Sequence, residues 1–248
     1  MAAAGSGQRL GAGGPKAFVP VAGRPMVEWS IEAFRASEQV RSIVVACPPG
    51  HVHELGGGDL AVVEGGETRA QSVANALEAV GTELVAIHDA ARPLLTPQLV
   101  DDVISTLVGD EEAAGAIAAA PVTDTIKRAA ESEAGSASPS EAPAESGAAA
   151  ARAPLTTDEV ANGARVVQET VDRGRLWAAQ TPQVFRTEAL RGALEAGPER
   201  APAATDEAML VERAGGRVLI HPGPPENIKV TTPTDLRFAE LLLADRTG

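Results

Sequence analysis

The chain has 248 residues, long enough for one large α/β domain or two small ones; 44% of its residues are hydrophobic but only 2% aromatic, so its core must be built from Val, Leu, Ile and Ala. A formal net charge of −13 argues against a general binder of nucleic acid or of anionic membrane. Neither a membrane-spanning apolar run nor a signal-peptide pattern is visible, and the single cysteine, Cys47, excludes an intramolecular disulfide and fits a reducing cytoplasm.

The opening stretch, Ala2 to Lys16, combines several glycines with Arg9 and Lys16 and has little side-chain bulk elsewhere. Glycines let backbone N–H groups close on an anion, and Arg and Lys supply a planar fork and a point charge for phosphate. An acidic chain that binds polyphosphate must gather its cations locally, as this stretch does. It is not a Walker loop, because Ala17 follows the Lys. Nor is it the dinucleotide fingerprint, because Leu10 stands at the third glycine and no strand precedes it. On composition alone it also reads as a flexible N-terminus.

Met26–Ala36 carries apolar residues at helical spacing just after Pro25. Ser42–Pro48 and Leu60–Glu64 are short apolar runs that suit buried strands, with Cys47 as a small buried residue at a strand end. Gly65-Gly66 follows the second run, then a helix from about Thr68 to Val80. Leu84–His88 is the next strand, stopped by Asp89-Ala-Ala-Arg-Pro93. Thr96-Pro97 caps and starts a helix through Leu107. Gly115–Pro121 reads as a further buried strand. Strands alternating with helices imply right-handed βαβ units and a parallel sheet, with ligands over the strand carboxyl ends, where Gly65-Gly66 and Asp89 fall.

From about Ala130 to Gly163 large apolar residues nearly vanish and periodicity is lost, so this segment is expected to be disordered. Two β-like pieces, Asp124–Arg128 and Val166–Arg173, flank it, as in a hairpin arm with a lengthened tip. Beyond it, Gln180–Phe185 reads as a turn into a helix at Thr187–Leu194. A short helix at Asp206–Arg213, a strand at Arg217–His221 and a helix at about Pro233–Ala244 complete the chain. His51 and His53 read as surface residues. Trp29 and Trp177 read as packing residues; Asp206 and Glu207 fit first-turn helix acids, and their role is left open.

Seven motifs recur in an ordered set: Ala-Ala-Gly-Ser-Gly-Gln-Arg with Pro15-Lys16, Gly65-Gly66-x-x-Arg69-x-x-Ser72-Val73, His88-Asp-Ala-Ala-Arg-Pro93, Asp124-Thr-Ile-Lys-Arg128, Thr170-Val-Asp-Arg173, Thr181-Pro-Gln183 and Asn227-Ile-Lys-Val-Thr231. Together they resemble the 2-C-methyl-D-erythritol 4-phosphate cytidylyltransferase family of the non-mevalonate isoprenoid pathway, over everything but the 130–163 segment. Ribitol-5-phosphate cytidylyltransferases are near relatives, disfavoured by Ala-Ala-Gly in place of Ala-Gly-Gly, by Asp-Ala-Ala-Arg in place of Asp-Ala-Val-Arg, and by the arm motifs. A non-catalytic nucleotide-binding descendant is the rival of another class, and a nicotinamide-dependent oxidoreductase is more distant still.

The resemblance implies one α/β domain over 1–248. Its sheet would be Rossmann-like and mostly parallel, flanked by helices in the manner of nucleotide-diphospho-sugar transferases. A protruding β-arm would span about 121–173 and carry the insert. It also implies a first strand leading into Ala-Ala-Gly, which is absent from the sequence as it stands and whose loss would cost about a domain's net stability. The implied reaction is attack of the sugar-alcohol phosphate on the α-phosphorus of CTP, with pyrophosphate leaving. Arg9, Lys16, Arg173 and Lys229 would be catalytic. Thr125, Asp89, Arg173 and Lys229 would hold the substrate. Ala3, Ala4, Gly5, Ser6, Gly7, Gly66, Glu67, Arg69 and Ser72 would hold the nucleotide, with Glu67 standing where the family often has Asp. Mg²⁺ bound mostly through the CTP phosphates, with Asp89 beside it, is the implied cofactor. A cytoplasmic homodimer, in which each arm serves its neighbour's site, is the implied assembly.

Overall fold

The computed structural model describes residues 1–5, 10, 14–55, 60–130, 165–196 and 204–247. The insert expected at about 130–163 lies, beyond Ala130, outside them. Elements run in chain order as β1 (Pro20–Val21), β2 (Arg24–Pro25), α1 (Met26–Arg35), β3 (Ile43–Cys47), β4 (Leu60–Glu64), α2 (Arg69–Leu77), β5 (Leu84–Ile87), α3 (Pro97–Val108), β6 (Gly115–Pro121), β7 (Ile126–Ala129), β8 (Val167–Val171), β9 (Trp177–Arg186), α4 (Thr187–Glu195), α5 (Glu207–Arg213), β10 (Val218–Pro222) and α6 (Pro233–Thr247). They form two compact units, Met1–Ala120 with Ala178–Gly248, and Pro121–Trp177.

In the first unit the strands are ordered β10-β6-β9-β5, with β3 and β4 pairing in parallel beside them. Met1–Ala3 runs between β3 and β5 and joins the two sets. Ala2 bridges both Ala46 and Asp89 in parallel sense. Its N–H donates to the His88 carbonyl at 2.8 Å and its carbonyl accepts from Ala90 at 3.1 Å. These three residues therefore take the strand position that the resemblance assigns to a longer apolar run.

Strand alternation sorts the core into two layers. Ala116 and Ala118 of β6 face α1 and α3, whose Val27, Ile31, Phe34, Val100, Val103 and Leu107 form one buried cluster. Ile117, between them, faces the other way, onto α2, α4 and α5, where Phe185 and Leu190 are wholly buried. The helices start on their own caps. Thr68 accepts from Gln71 N–H ahead of α2, Thr96 from Leu99 N–H ahead of α3, and Asp206 from Met209 N–H ahead of α5.

Three expectations from the sequence need amendment. Gln180–Phe185 is not a turn but the interior of the ten-residue strand β9, which pairs antiparallel with β5 and makes the sheet mixed. Its Pro and polar residues disguised it, because Gln180, Thr181 and Gln183 are buried by hydrogen bonding rather than by apolar character. The Leu60–Glu64 strand is only partly buried. Trp29 does pack, with its Nε1 donating to the Val21 carbonyl, but Trp177 is 39% exposed.

The second unit contains the antiparallel pair β7–β8, with Ile126 opposite Val171 and Lys127 opposite Thr170. Lys127 Nζ donates to Thr170 Oγ1 at 2.6 Å, and Arg128 pairs with Glu169 at 3.0 Å. The Arg173 guanidinium donates to the Thr123 carbonyl.

Burying His88 makes stability depend on pH. Its imidazole is wholly buried beside Thr181, and burial pushes it from 6.5 down to about 3. Between pH 3 and 6.5 the unfolded chain then binds more protons than the folded one, so stability rises with pH across that window. Urea unfolding should show a higher midpoint at pH 7 than at pH 5, and an unchanged midpoint would refute burial of a neutral His88.

Candidate active site

A cavity of about 580 Å³ opens at the carboxyl ends of β4 and β5, beside Met1–Ala3. Four chain segments converge on it. Ala3, Ala4, Gly5 and Lys16 come from the opening stretch, where the Lys16 N–H donates to the Gly5 carbonyl at 3.1 Å. Gly66, Glu67, Arg69 and Ser72 come from the turn into α2, Asp89 follows β5, and Lys229 precedes α6. Ser6, Gly7 and Arg9 lie outside the described residues. Thr125 and Arg173 belong to the Pro121–Trp177 unit.

The Gly65-Gly66 pair is a packing requirement as much as a binding one. A Cβ on Gly65 would stand 2.5 Å from Ala4 Cβ and 2.9 Å from Ser72 Oγ, so any side chain there would push the opening loop off the sheet. Ser72 is 3% exposed, and its hydroxyl holds the turn together. It accepts from Gly66 N–H at 3.1 Å and donates to the Thr68 carbonyl at 2.9 Å.

Charged groups meet at Asp89. Lys229 Nζ donates to its Oδ2 at 2.6 Å, and Arg69 Nε and Nη2 reach its Oδ1 at 3.1 and 3.0 Å. Burial works against the Asp89 carboxylate, yet Arg69 and Lys229 together hold it well below the usual carboxylate range. Lys229 is set beside it by the backbone, since Val230 N–H donates to the Ala91 carbonyl at 2.8 Å. Asn227 Nδ2 donates to Gln180 Oε1 and to the Thr181 carbonyl, while Arg92 Nη1 donates to the Asn227 carbonyl at 2.6 Å.

Two groups went unassigned in the sequence reading. Thr181 Oγ1 accepts from Asp89 N–H at 3.1 Å and lies 2.9 Å from His88 Nδ1, so the Thr181-Pro-Gln183 motif supports Asp89 from beneath. Glu207, read as a first-turn acid, is 1% exposed and pairs with Arg69. Its position one residue after the Asp206 cap gave no signal that it points inward. Among the described residues no three His, Cys, Asp or Glu side chains converge as a metal site. A divalent cation with few protein ligands remains compatible with Asp89, since Mg²⁺ binds through one or two carboxylates plus substrate phosphates. No helix among the described residues is long and apolar enough to cross a membrane.

Residues 1–138 and 137–245 match the family model described as IspD, 2-C-methyl-D-erythritol 4-phosphate cytidylyltransferase. A protein of that name from Azoarcus sp. (strain BH72) is 36% identical over 258 residues, covering 99% of this chain and 93% of its own length. The namesake from Frankia casuarinae is 40% identical over 247 residues, covering 98% and 79% respectively. The crystal structure of 2-C-methyl-D-erythritol 4-phosphate cytidylyltransferase from Thermus thermophilus superposes with a TM-score of 0.71 at 31% identity, covering 98% of this chain and 97% of that one.

Proposed function

The chain belongs to the 2-C-methyl-D-erythritol 4-phosphate cytidylyltransferase family, and on that premise we propose how its own residues carry the reaction. It transfers CMP from CTP to 2-C-methyl-D-erythritol 4-phosphate and releases pyrophosphate, a step of isoprenoid synthesis. A substrate phosphate oxygen forms a bond to the α-phosphorus as the α–β bridging oxygen leaves with the pyrophosphate. No covalent enzyme intermediate is needed. The protein has to align attacker and leaving group and neutralise the charge that builds on the α-phosphate.

The convergence of Lys16, Lys229 and Asp89 on one cavity carries this reading. Lys16, which lines the cavity, stabilises the pentacoordinate phosphorus and the pyrophosphate, a task the family motif assigns also to Arg9. Lys229, oriented by Asp89, holds the attacking phosphate. Gly66 and Glu67 receive the cytosine against the turn that Ser72 braces. Asp89, together with the CTP phosphates, would hold Mg²⁺, which would supply charge neutralisation there. Arg173 and Thr125 complete the substrate site from the arm of a second copy, so the active species is a homodimer. The buried Cys47 fits a reducing cytoplasm.

Pyrophosphate release with CTP, Mg²⁺ and methylerythritol 4-phosphate tests the reading, with ribitol 5-phosphate in parallel. Release is expected with the methylerythritol substrate alone. Release with ribitol 5-phosphate alone would move the chain to the related activity, and silence with both would make it a non-catalytic descendant.

A further inference from the structure

Glu207 has no place in the mechanism above, yet it is among the most deeply buried charges of the molecule, 1% exposed on the first turn of α5. Burying a carboxylate is costly unless a partner matches it. Arg69 is that partner, its Nη1 donating to both Glu207 oxygens while Nε and Nη2 stay on Asp89. The four side chains form a line, Glu207–Arg69–Asp89–Lys229, in which two negative and two positive charges alternate. Only the last three line the cavity, so Glu207 acts on it through Arg69.

The scaffold behind Glu207 is built for placement. Gln183, 1% exposed on β9, donates through Nε2 to Asp206 Oδ2 at 2.8 Å and accepts through Oε1 from Ala208 N–H at 3.2 Å. It thereby grips the residues on either side of Glu207. Two positions earlier on the same strand, Thr181 accepts from the Asp89 N–H. One strand therefore fixes both carboxylates that Arg69 bridges.

We propose that Glu207 is a positioning residue: it keeps Arg69 on Asp89 and off the triphosphate, so that Asp89 presents Lys229 to the attacking phosphate. This rests on the assignment of Lys229 to that phosphate. Without the Glu207 charge, one face of the Arg69 guanidinium has no carboxylate and turns toward the nearest phosphate. Asp89 Oδ1 is then released, and Lys229 loses its orientation. The effect falls on the sugar-phosphate side, because the turn that receives the base is held separately by Ser72 and Thr68.

The test is Glu207→Gln, which keeps shape and removes charge. Turnover should fall about tenfold and KM for the sugar phosphate should rise, with KM for CTP changing less than about twofold. In an Arg69→Met background the same substitution should add no further loss, because the two residues act in series. Losses that multiply in the double variant would overturn the proposal. So would equal changes in both KM values with a lowered Tm, the mark of a purely structural role. A readout without substrate separates this from the functional assignment. The chain has three lysines, and the ¹³C-dimethyl resonance of Lys229, identified with Lys229→Arg, should move in Glu207→Gln. If the wild type proves inactive with this substrate pair, that resonance still decides the relay: movement supports it and an unmoved signal refutes it.

Discussion

Replacing Lys229 by Met should lower turnover about a thousandfold while the protein stays folded. Removing one preorganised donor from a developing negative charge costs about 10²–10³ in rate. Lys229 has the further task of holding the attacking phosphate against a triphosphate of the same sign. Its side chain is 42% exposed toward the cavity, so substitution leaves no apolar hole. Asp89 keeps the two Arg69 contacts that hold it ionised, and the buried carboxylate is not stranded. Tm should therefore shift by only a few degrees. Lys229→Arg restores the charge but replaces a point donor with a planar fork on a longer stem, so it should recover only part of the rate. KM for the sugar phosphate should rise more than KM for CTP. A loss below tenfold in Lys229→Met, with Asp89 intact, would remove Lys229 from the phosphate site.

How much of this was legible in the sequence depends on how each residue reaches its place. The strands β3 and β6 announce themselves because both faces are buried and the apolar runs are unbroken, and β5 by its short apolar run. The caps at Thr68 and Thr96 are local and equally plain. Asp89 and Lys229 could be assigned through the motifs around them, although their mutual contact spans 140 residues. The strand β9 was missed because three of its six buried positions are Gln180, Thr181 and Gln183. Their burial is explained only by partners on other elements, such as Asn227, Asp89 and Ala208. Hydrophobic periodicity is blind to a strand that buries amides and hydroxyls. The inward direction of Glu207 was invisible for the same reason. A helix's first turn tolerates an acid on any face, and only packing of α5 against the sheet turns this one toward Arg69. Arg69 shows the reverse case. The resemblance assigns it to the nucleotide and it lines the cavity, but its motif did not announce that its guanidinium also pairs with two carboxylates, Glu207 and Asp89, which outweigh the burial that opposes its charge.

Two inactive variants should regain activity when mixed. Lys229→Met disables the cavity of the Met1–Ala120 and Ala178–Gly248 unit. Arg173→Ala disables the arm, where Arg173 follows β8 in the Pro121–Trp177 unit. If each arm serves the neighbour's cavity, a homodimer of either variant has no complete site. A mixed dimer has one site carrying both substitutions and one carrying neither. Random exchange makes about half of the dimers mixed, each with one of its two sites intact, so the mixture should recover about a quarter of wild-type turnover. If each arm instead serves its own chain, every site in the mixture carries one substitution and activity stays at background. The experiment also reports whether exchange occurs: recovery should grow with incubation time and should need refolding or dilution if the dimer is tight. Arg173 holds the Thr123 carbonyl within its own unit, so Arg173→Ala could loosen the hairpin as well as remove a charge. Arg173→Lys and Thr125→Ala, tested against Lys229→Met in the same way, separate these effects. Both should complement if the arm acts in trans. Recovery with none of the three would assign the arm to its own chain and remove the dimer from the mechanism.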